Sequence, residues 1–222
     1  MATVAIDIDS TLYDFDTLAR EAAQKLWLET GDEVYRRGIY YSSEDWRAPA
    51  ELMGFERWVN GVIARCHDDE MILKQVPFAG SVETCQALVE AGHKLIYISN
   101  RATETEQATS DWLAFHGFFV GDATTLVVTS GDKKPFIEGC QYLIDDRLKT
   151  CVEFVYDFDW QYLNGPRGVR PANDRRAFVL KYPYNQNATD IPGLYVAPTW
   201  AGLNVYMHRK NVLPELAVEA MA

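Results

Sequence analysis

The 222-residue chain lacks the features that mark membrane, secreted and disulfide-rich proteins. No apolar stretch approaches the length of a membrane span, and the N-terminus shows no basic region followed by a long apolar one. The cysteines are scattered, without the paired spacing of a zinc site or a disulfide framework. These absences predict a cytoplasmic protein with reduced thiols and no membrane partner. The cysteines are Cys66, Cys85, Cys140 and Cys151.

Positive charge is also in short supply. Lys and Arg number 21 against 32 Asp and Glu, so the formal net charge is −11. Such a surface repels nucleic acid at long range, which favours a small anionic substrate over a polynucleotide without forbidding the polymer. An anionic substrate must therefore be bound by groups at the site itself, namely a metal ion, a lysine and backbone amides. The 4 histidines are dispersed, which indicates packing or surface positions rather than metal ligands.

Apolar residues make up 48% of the chain, and they form strands that are apolar throughout and alternate with helices. This pattern predicts an α/β domain built on a doubly wound parallel sheet that is covered on both faces, with a modest insertion. Ligands bind such sheets beyond the carboxyl ends of the strands. The predicted strands are 3–8, 95–98, 125–128, 142–144 and 177–181, and the predicted helices are 19–28, 56–65, 80–92, 103–117, 150–163 and 200–209.

The first strand ends in two carboxylates separated by one isoleucine. Side chains alternate faces along a strand, so Asp7 and Asp9 point the same way. Two carboxylates on one face repel each other and are costly to desolvate, and a cation between them removes that cost. Oxygen ligands of this kind suit Mg²⁺. The alternative is a strand that simply runs into an acidic turn.

Three later segments also carry polar groups, two of them at strand ends. Taken singly, they are compatible with ordinary turn chemistry, a surface lysine and a polar strand end. Their occurrence in this order after the first acidic pair favours a shared active site. They are Ser99-Asn100-Arg101 after the second strand, Lys133-Lys134-Pro135 before a helix that the proline would open, and Asp145-Asp146 after the strand 142–144.

This series resembles the four motifs of the haloacid dehalogenase superfamily of phosphatases. Residues 7–11 match motif one, Ser99 matches motif two, Lys134 matches motif three and the pair Asp145-Asp146 matches motif four. Within the superfamily the closest resemblance is to the 5′(3′)-deoxyribonucleotidases. It is carried by residues 77–80, 143–147 and 182–185. One departure is Ser10, where the family usually has glycine, because serine tolerates a positive φ less well.

The resemblance implies a Rossmannoid catalytic core and a helical cap inserted between the first two motifs. The core would comprise residues 1–11 and 80–222, and the cap would comprise residues 12–79. The cap is rich in aromatic residues that would either stack on a nucleobase or form the cap's own core. They are Tyr40, Tyr41, Trp46, Phe55 and Trp58, of which Trp46, Phe55 and Trp58 are the candidates for substrate contact.

The resemblance also implies a role for each site residue. Asp7 would be the nucleophile and form an aspartyl-phosphate, and Asp9 would protonate the leaving alkoxide and then activate water. Mg²⁺ would be held by Asp7, the backbone carbonyl of Asp9, Asp145 and, directly or through water, Asp146. The substrate phosphate would be bound by Thr11, Ser99, Asn100, Arg101 and Lys134, with Lys133 as the rival for the motif-three lysine.

The leading functional prediction is therefore a Mg²⁺-dependent phosphatase of deoxynucleoside monophosphates, and it leaves room for a homodimer. One rival is a polynucleotide 3′-phosphatase, because the phosphatase domain of polynucleotide kinase carries a similar Ser-x-Arg and Ile-Asp-Asp-Arg pattern. The second rival is a non-catalytic nucleotide-binding protein on the same fold, which would have no need for Asp9. Four arginines in or after the basic loop 165–171 would lie in solvent or touch a phosphodiester: Arg167, Arg170, Arg175 and Arg176.

Overall fold

A computed structural model of the chain describes residues 1–38, 55–156 and 174–214. Its centre is a six-stranded sheet with the order β3-β2-β1-β4-β5-β6, in which every neighbouring pair is parallel. This arrangement confirms the predicted doubly wound α/β fold. The strands are β1 (Thr3–Asp7), β2 (Lys94–Asn100), β3 (Thr124–Thr129), β4 (Tyr142–Asp145), β5 (Arg176–Leu180) and β6 (Leu194–Ala197).

Nine α-helices connect and cover the strands within the described parts of the chain. The last of them has the bounds that the sequence predicted, whereas the predicted helix 150–163 is observed only to residue 156, beyond which it lies outside the described residues. The helices are α1 (Phe15–Thr30), α2 (Glu33–Gly38), α3 (Phe55–Cys66), α4 (Asp69–Leu73), α5 (Ser81–Glu90), α6 (Glu106–Phe115), α7 (Lys134–Ile137), α8 (Leu148–Tyr156) and α9 (Trp200–Arg209).

The central strand β1 is apolar because both of its faces are buried. Val4 and Ile6 pack into a large cluster on one face of the sheet, and Ala5 packs into a smaller cluster on the other. The large cluster includes Leu88 of α5 and Trp112 of α6. Such two-sided burial removes the alternation of polar and apolar residues that a half-exposed strand would show. It also leaves the carboxyl end of β1 as the place where polar side chains emerge.

The helical segment between β1 and β2 leaves the core and returns to it at one place. Tyr13 and Pro77 form an isolated antiparallel bridge, and the Phe78 amide donates a hydrogen bond to the Leu12 carbonyl at 2.7 Å. The described helices α1 to α4 lie within this segment, and α1 packs against α2 and α3. This geometry suits an insertion, while the division into a core and a cap of residues 12–79 stays a prediction. In the described parts of the chain, no helix has the length and apolar character to cross a membrane.

The turn that follows β1 depends on one residue with a left-handed backbone. Ser10 has φ 61°, and it is 4% exposed. The amides of Thr11 and Leu12 both donate to the Ile8 carbonyl, at 3.3 and 2.8 Å, and close the turn. Serine therefore adopts here the conformation for which the resembling family uses glycine.

Two replacements of Ser10 test its left-handed backbone conformation. In Ser10→Gly, relief of the left-handed conformation, about 1–2 kcal/mol, is offset by the greater entropy of glycine in the unfolded chain, about 0.5–1 kcal/mol. Its free energy of unfolding should therefore lie within about 1 kcal/mol of wild type or slightly above it. Ser10→Val should lose about 2 kcal/mol or more, because a β-branched residue at positive φ is a severe outlier. Urea unfolding measures both values, and equal stability of the two variants would contradict the left-handed turn.

Candidate active site

The polar residues that the sequence placed after separate strands meet at one edge of the sheet. β1 lies between β2 and β4, so the carboxyl ends of these three strands are adjacent. Asp7 is the last residue of β1, Asn100 is the last residue of β2 and Asp145 is the last residue of β4. The parallel order of the strands therefore assembles the site.

Three carboxylates converge at this edge. Ligand oxygens of Asp7, Asp145 and Asp146 all lie within 4.8 Å of one another, and all three residues are buried. Burial, followed by the charge of Asp7, raises the pKa of Asp145 above its ordinary value. Burial, followed by the charges of Asp145 and Asp7, raises the pKa of Asp146 as well. Such repulsion among hard oxygen ligands favours a bound cation.

Thr11 connects two of these carboxylates. Its hydroxyl lies 3.3 Å from Asp7 Oδ2 and 3.2 Å from Asp146 Oδ1, and it accepts a hydrogen bond from the Asp146 amide at 3.1 Å. The hydroxyl has a single hydrogen, so it donates to one carboxylate at a time. Thr11 is fully buried. It therefore links the two acids, and its predicted contact with the substrate stays a prediction.

Lys133, and not Lys134, is the lysine of the site. The Lys133 ammonium forms an ion pair with Asp7 Oδ1. Burial alone would lower the pKa of Lys133, but the carboxylates of Asp7 and Asp145 raise it overall, so the lysine stays charged.

The sequence prediction of Lys134 as the motif-three lysine is corrected accordingly. Lys134 is exposed as the first residue of α7, and its amide donates to Asp132 Oδ1 at 2.9 Å. Proline does stand near the helix start as expected, but the residue that reaches Asp7 is Lys133, the N-cap that precedes the helix. A shift of one residue at a helix start rotates a side chain by about 100°, which separates the two lysines.

Asp9 does not join the carboxylate cluster through its side chain. Arg101 binds it with two nitrogens, Nη2 to Oδ1 at 2.6 Å and Nε to Oδ2 at 3.1 Å. The hydroxyls of Ser99 and Tyr13 also donate to it, at 2.8 and 2.5 Å. Burial alone would raise the pKa of Asp9, but Arg101 brings it well below its ordinary value. Asp9 is therefore held as an anion.

Arg101 supports Asp9 in this structure, and its predicted contact with the substrate stays a prediction. Its side chain is 0% exposed. Besides Asp9, its guanidinium donates to Thr109 Oγ1 and to the Tyr13 hydroxyl, both at 2.7 Å. Ser99, predicted to bind phosphate, likewise donates to Asp9 in this arrangement. Tyr13 and Thr109 were missed by the sequence analysis, because neither stands at a motif spacing.

Asn185 is a third residue whose role the motifs did not reveal. Its amide donates to the Asp146 carbonyl at 2.6 Å and to the Leu180 carbonyl at 2.8 Å, and thereby ties the acid pair to the end of β5. The resemblance of residues 182–185 was the one available signal. Nearby, the Tyr182 hydroxyl donates to Asp14 Oδ1 at 2.5 Å. These bonds fix the loop that carries the acid pair against the loop after β1.

Aromatic rings lie close to this edge on the β5 side. Tyr182 packs edge-on against Phe78 with ring centroids 6.3 Å apart, and it packs against Tyr184 at 5.3 Å. The cap residues Tyr40, Tyr41 and Trp46, the side chains of Phe55 and Trp58, and the arginines Arg167 and Arg170 lie outside the described residues. Their predicted contacts with the substrate stay predictions.

The comparisons with known proteins agree with this geometry. The sequence model of a family described as haloacid dehalogenase-like hydrolase matches residues 1–146. No curated protein matches the chain by sequence.

Several solved structures share the fold at low sequence identity. CbbY from Rhodobacter sphaeroides in complex with phosphate is 11% identical, with 91% of this chain and 96% of that chain covered and a TM-score of 0.57. A HAD family hydrolase from Deinococcus radiodurans R1 with bound phosphate and sodium is 14% identical, with 97% and 99% covered and a TM-score of 0.56. A haloacid dehalogenase-like family hydrolase from Xanthomonas campestris is 15% identical, with 94% and 95% covered and a TM-score of 0.53.

The two aspartates that follow β1 should differ in their effect on stability. Asp9→Asn leaves the buried Arg101 guanidinium without its anion, which should cost about 3–5 kcal/mol of unfolding free energy. Asp7→Asn loses the ion pair with the partly exposed Lys133 but relieves repulsion in the acid cluster, so it should stay within about 1 kcal/mol of wild type. Urea unfolding at pH 7 without metal compares them.

The lowered pKa of Asp9 determines how the stabilisation from its pair with Arg101 changes with pH. Because the folded-state pKa of Asp9 lies below its unfolded value of about 4, the stabilisation is fully present above that pH. It is lost only as the pH falls towards the folded-state pKa. If Asp7→Asn and Asp9→Asn lost the same free energy of unfolding at pH 7, the Asp9–Arg101 pair would not contribute more to stability than the Asp7–Lys133 pair.

Proposed function

Because this chain belongs to the haloacid dehalogenase-like hydrolases, we propose that it hydrolyses phosphomonoesters through an aspartyl-phosphate on Asp7. The observation that carries the proposal is the position of Asp7. Its carboxylate stands at the end of the central strand, pairs with the charged Lys133 and faces two further acids. A non-catalytic binding protein on this fold would have no use for a second, separately held carboxylate such as Asp9.

The first step is attack by Asp7 on phosphorus. A carboxylate oxygen forms the new P–O bond while the bond to the ester oxygen breaks, and the leaving alkoxide takes up a proton. The charge of a phosphate monoester repels an anionic nucleophile, so positive charge must lie close to both. Lys133 supplies it, because its ammonium already touches Asp7 and is held charged by the surrounding acids.

Asp9 serves the proton transfers of both steps. As a base it accepts a proton from the water that attacks the aspartyl-phosphate, for which the ionised state in the structure is the correct one. As an acid towards the leaving alkoxide it must first take up a proton, which the Arg101 pair opposes. We therefore propose that Asp9 leaves Arg101 when the substrate binds, while Arg101, Tyr13 and Ser99 position it between turnovers.

The acid cluster fits a divalent cation. Three buried carboxylates with raised pKa values at two of them face a single lysine, so one further cation is needed to balance the charge. We propose Mg²⁺, which would be held by Asp7, Asp145, Asp146 and the backbone carbonyl of Asp9. When bound, it neutralises charge on the transferred phosphoryl group.

The substrate that we propose is a deoxynucleoside monophosphate. The motif resemblance at residues 143–147 and 182–185 supports a nucleotide, and the rings of Phe78, Tyr182 and Tyr184 offer apolar surface near the site. The segment of residues 12–79 would act as the cap that covers this edge. All four cysteines are free and buried, which suits the reducing cytoplasm that we propose as the location.

Substitution of the nucleophile tests the proposed reaction. Asp7→Asn should abolish turnover of a small aryl phosphate and of deoxynucleoside monophosphates, because the amide is not an anionic nucleophile. Asp9→Asn should slow turnover by about 10²–10⁴-fold and still permit some phosphorylation of Asp7. Phosphate release and trapping of labelled phosphoenzyme measure the two effects. Near wild-type turnover in a folded Asp7→Asn protein would rule out the covalent mechanism.

Removal of the metal tests the acid cluster. EDTA should stop activity, Mg²⁺ should restore it and Ca²⁺ should do so poorly, because Ca²⁺ takes more ligands at longer distances. Mg²⁺ should also raise the Tm of the metal-free protein, because it binds only the folded acid cluster.

Asp145→Asn is the control for this experiment. The asparagine oxygen still accepts the hydrogen bond that the Arg147 amide gives to Asp145 Oδ1 at 2.7 Å, while one repelling charge disappears. The variant should therefore lose the Mg²⁺-dependent rise in Tm without unfolding. Full activity in excess chelator, or a Mg²⁺-dependent Tm shift that persists in Asp145→Asn, would contradict the proposal that the acid cluster binds a metal.

A further inference from the structure

A groove of about 490 Å³ leads away from the active site on one face of the sheet. Its mouth is lined by Asn100 and Lys133, its walls are formed by α7 and α8, and its far end is lined by Arg175. Arg175 directly precedes β5, so the groove extends from the carboxyl ends of the strands to the amino end of β5. The five residues of β5 span about 16 Å at the usual rise per residue. This length exceeds what a single phosphoryl group occupies.

The groove is lined by more basic than acidic side chains, whereas the whole chain has more acidic than basic ones. Basic side chains outnumber acidic ones along its lining, whereas the complete sequence has 21 Lys and Arg against 32 Asp and Glu. A cleft focuses the electrostatic potential of the side chains that line it. A local excess of basic over acidic side chains therefore attracts anions, although the surface as a whole repels them. The basic residues are Lys133, Lys134, Arg147, Lys149 and Arg175, and the acidic residues are Asp132, Glu138 and Glu153.

Arg175 holds its charge in a fixed place at the far end. Its guanidinium donates to the Phe154 carbonyl at 3.4 Å and to the Glu138 carbonyl, and so bridges the two walls. It also lies over the Phe154 ring, 5.2 Å from the centroid. Carbonyl oxygens and a ring orient a guanidinium without cancelling its charge. The groove therefore ends in a positioned cation.

Lys149 provides a second cation part way along. Its side chain is 62% exposed, and its Nζ lies 3.7 Å from Glu153 Oε1, which is a loose surface pair. Such pairs contribute little and exchange readily for a better anion. Lys149 therefore stands as a basic residue in the groove besides the lysine that contacts Asp7 and the arginine at the far end.

We propose that this groove binds a second phosphoryl group of the substrate, attached to the nucleoside whose phosphomonoester is cleaved at Asp7. The inference rests on the proposed phosphomonoesterase chemistry at Asp7, and it extends the proposed substrates from deoxynucleoside monophosphates to nucleotides that carry a second phosphate. Lys133 both lines the groove and pairs with Asp7, so one substrate can reach the reacting centre and the groove together. The second group is either the other phosphate of a nucleoside 3′,5′-bisphosphate or the phosphodiester of a 3′-phosphorylated oligonucleotide.

Binding to the Asp7→Asn protein tests the groove without turnover. The probes are deoxyadenosine 3′-monophosphate, deoxyadenosine 3′,5′-bisphosphate and a 3′-phosphorylated deoxytrinucleotide, titrated calorimetrically at low and moderate salt. At low salt at least one probe with a second phosphate should bind about tenfold more tightly than the monophosphate. A bisphosphate gain that the trinucleotide lacks assigns the groove to one nucleoside, and a larger gain for the trinucleotide assigns it to a phosphodiester.

Charge reversal in the groove is compared with charge reversal elsewhere. Lys149→Glu should cut the advantage of the second phosphate by about threefold to tenfold and lower the salt slope by about one. Lys94→Glu is the matched control, because Lys94 is exposed at the amino end of β2 and away from the groove. It should leave that advantage unchanged. Both lysines are exposed, and urea unfolding verifies that both variants fold.

The possible failures are distinguishable. Equal binding of all three probes, or a Lys149→Glu effect that is the same on the monophosphate, would overturn the groove as a second-phosphate site. Turnover of a small aryl phosphate by the wild-type protein tests the chemistry separately, since that substrate does not enter the groove. An inactive wild-type protein whose Asp7→Asn variant still prefers the second phosphate would overturn the proposed function and leave the groove assignment intact.

Discussion

The charge balance at the carboxyl end of β1 is the constraint on which the site depends. Three buried carboxylates face one lysine there, and burial, followed by repulsion from the neighbouring carboxylates, raises the pKa of Asp145 and of Asp146. Folding tolerates this arrangement because Thr11 and Asn185 bond to the acids or their backbone and keep the loops in place. Repulsion that would be a defect in a structural protein favours a cation at this place.

A second charge balance, separate from the first, governs Asp9. It lies two residues after Asp7, yet its carboxylate turns to a guanidinium that has no exposed surface. This separation means that Asp7, the proposed nucleophile, and Asp9, the proposed proton-transfer group, experience opposite environments. The first shares its surroundings with other acids, and the second is held ionised by Arg101. Environments that divide two neighbouring carboxylates in this way are how acid–base chemistry is assigned to one of them.

The sequence was informative where a whole strand or a whole pattern carried the signal. Runs of apolar residues buried on both faces predicted the sheet, and the acids at the ends of those runs located the site. The signal failed where one residue decided the outcome. Which of Lys133 and Lys134 reaches Asp7 depends on the residue at which α7 begins. The orientation of the Arg101 side chain depends on Tyr13 and Thr109, which no motif spacing identifies. The four-residue strand β6 was not predicted.

The groove between α7 and α8 changes how the net charge is interpreted. A charge of −11 disfavours polyanions as an average over the surface, but a bound group responds to the nearest few side chains within a Debye length of about 8–10 Å. Over that range the five basic and three acidic side chains of the groove matter more than the rest of the surface. If the proposed groove takes the end of a nucleic acid, the acidic exterior would serve selectivity, since it weakens binding elsewhere on the surface. The net charge would then limit where a polyanion binds, and the local charge of the groove would decide whether its terminus enters.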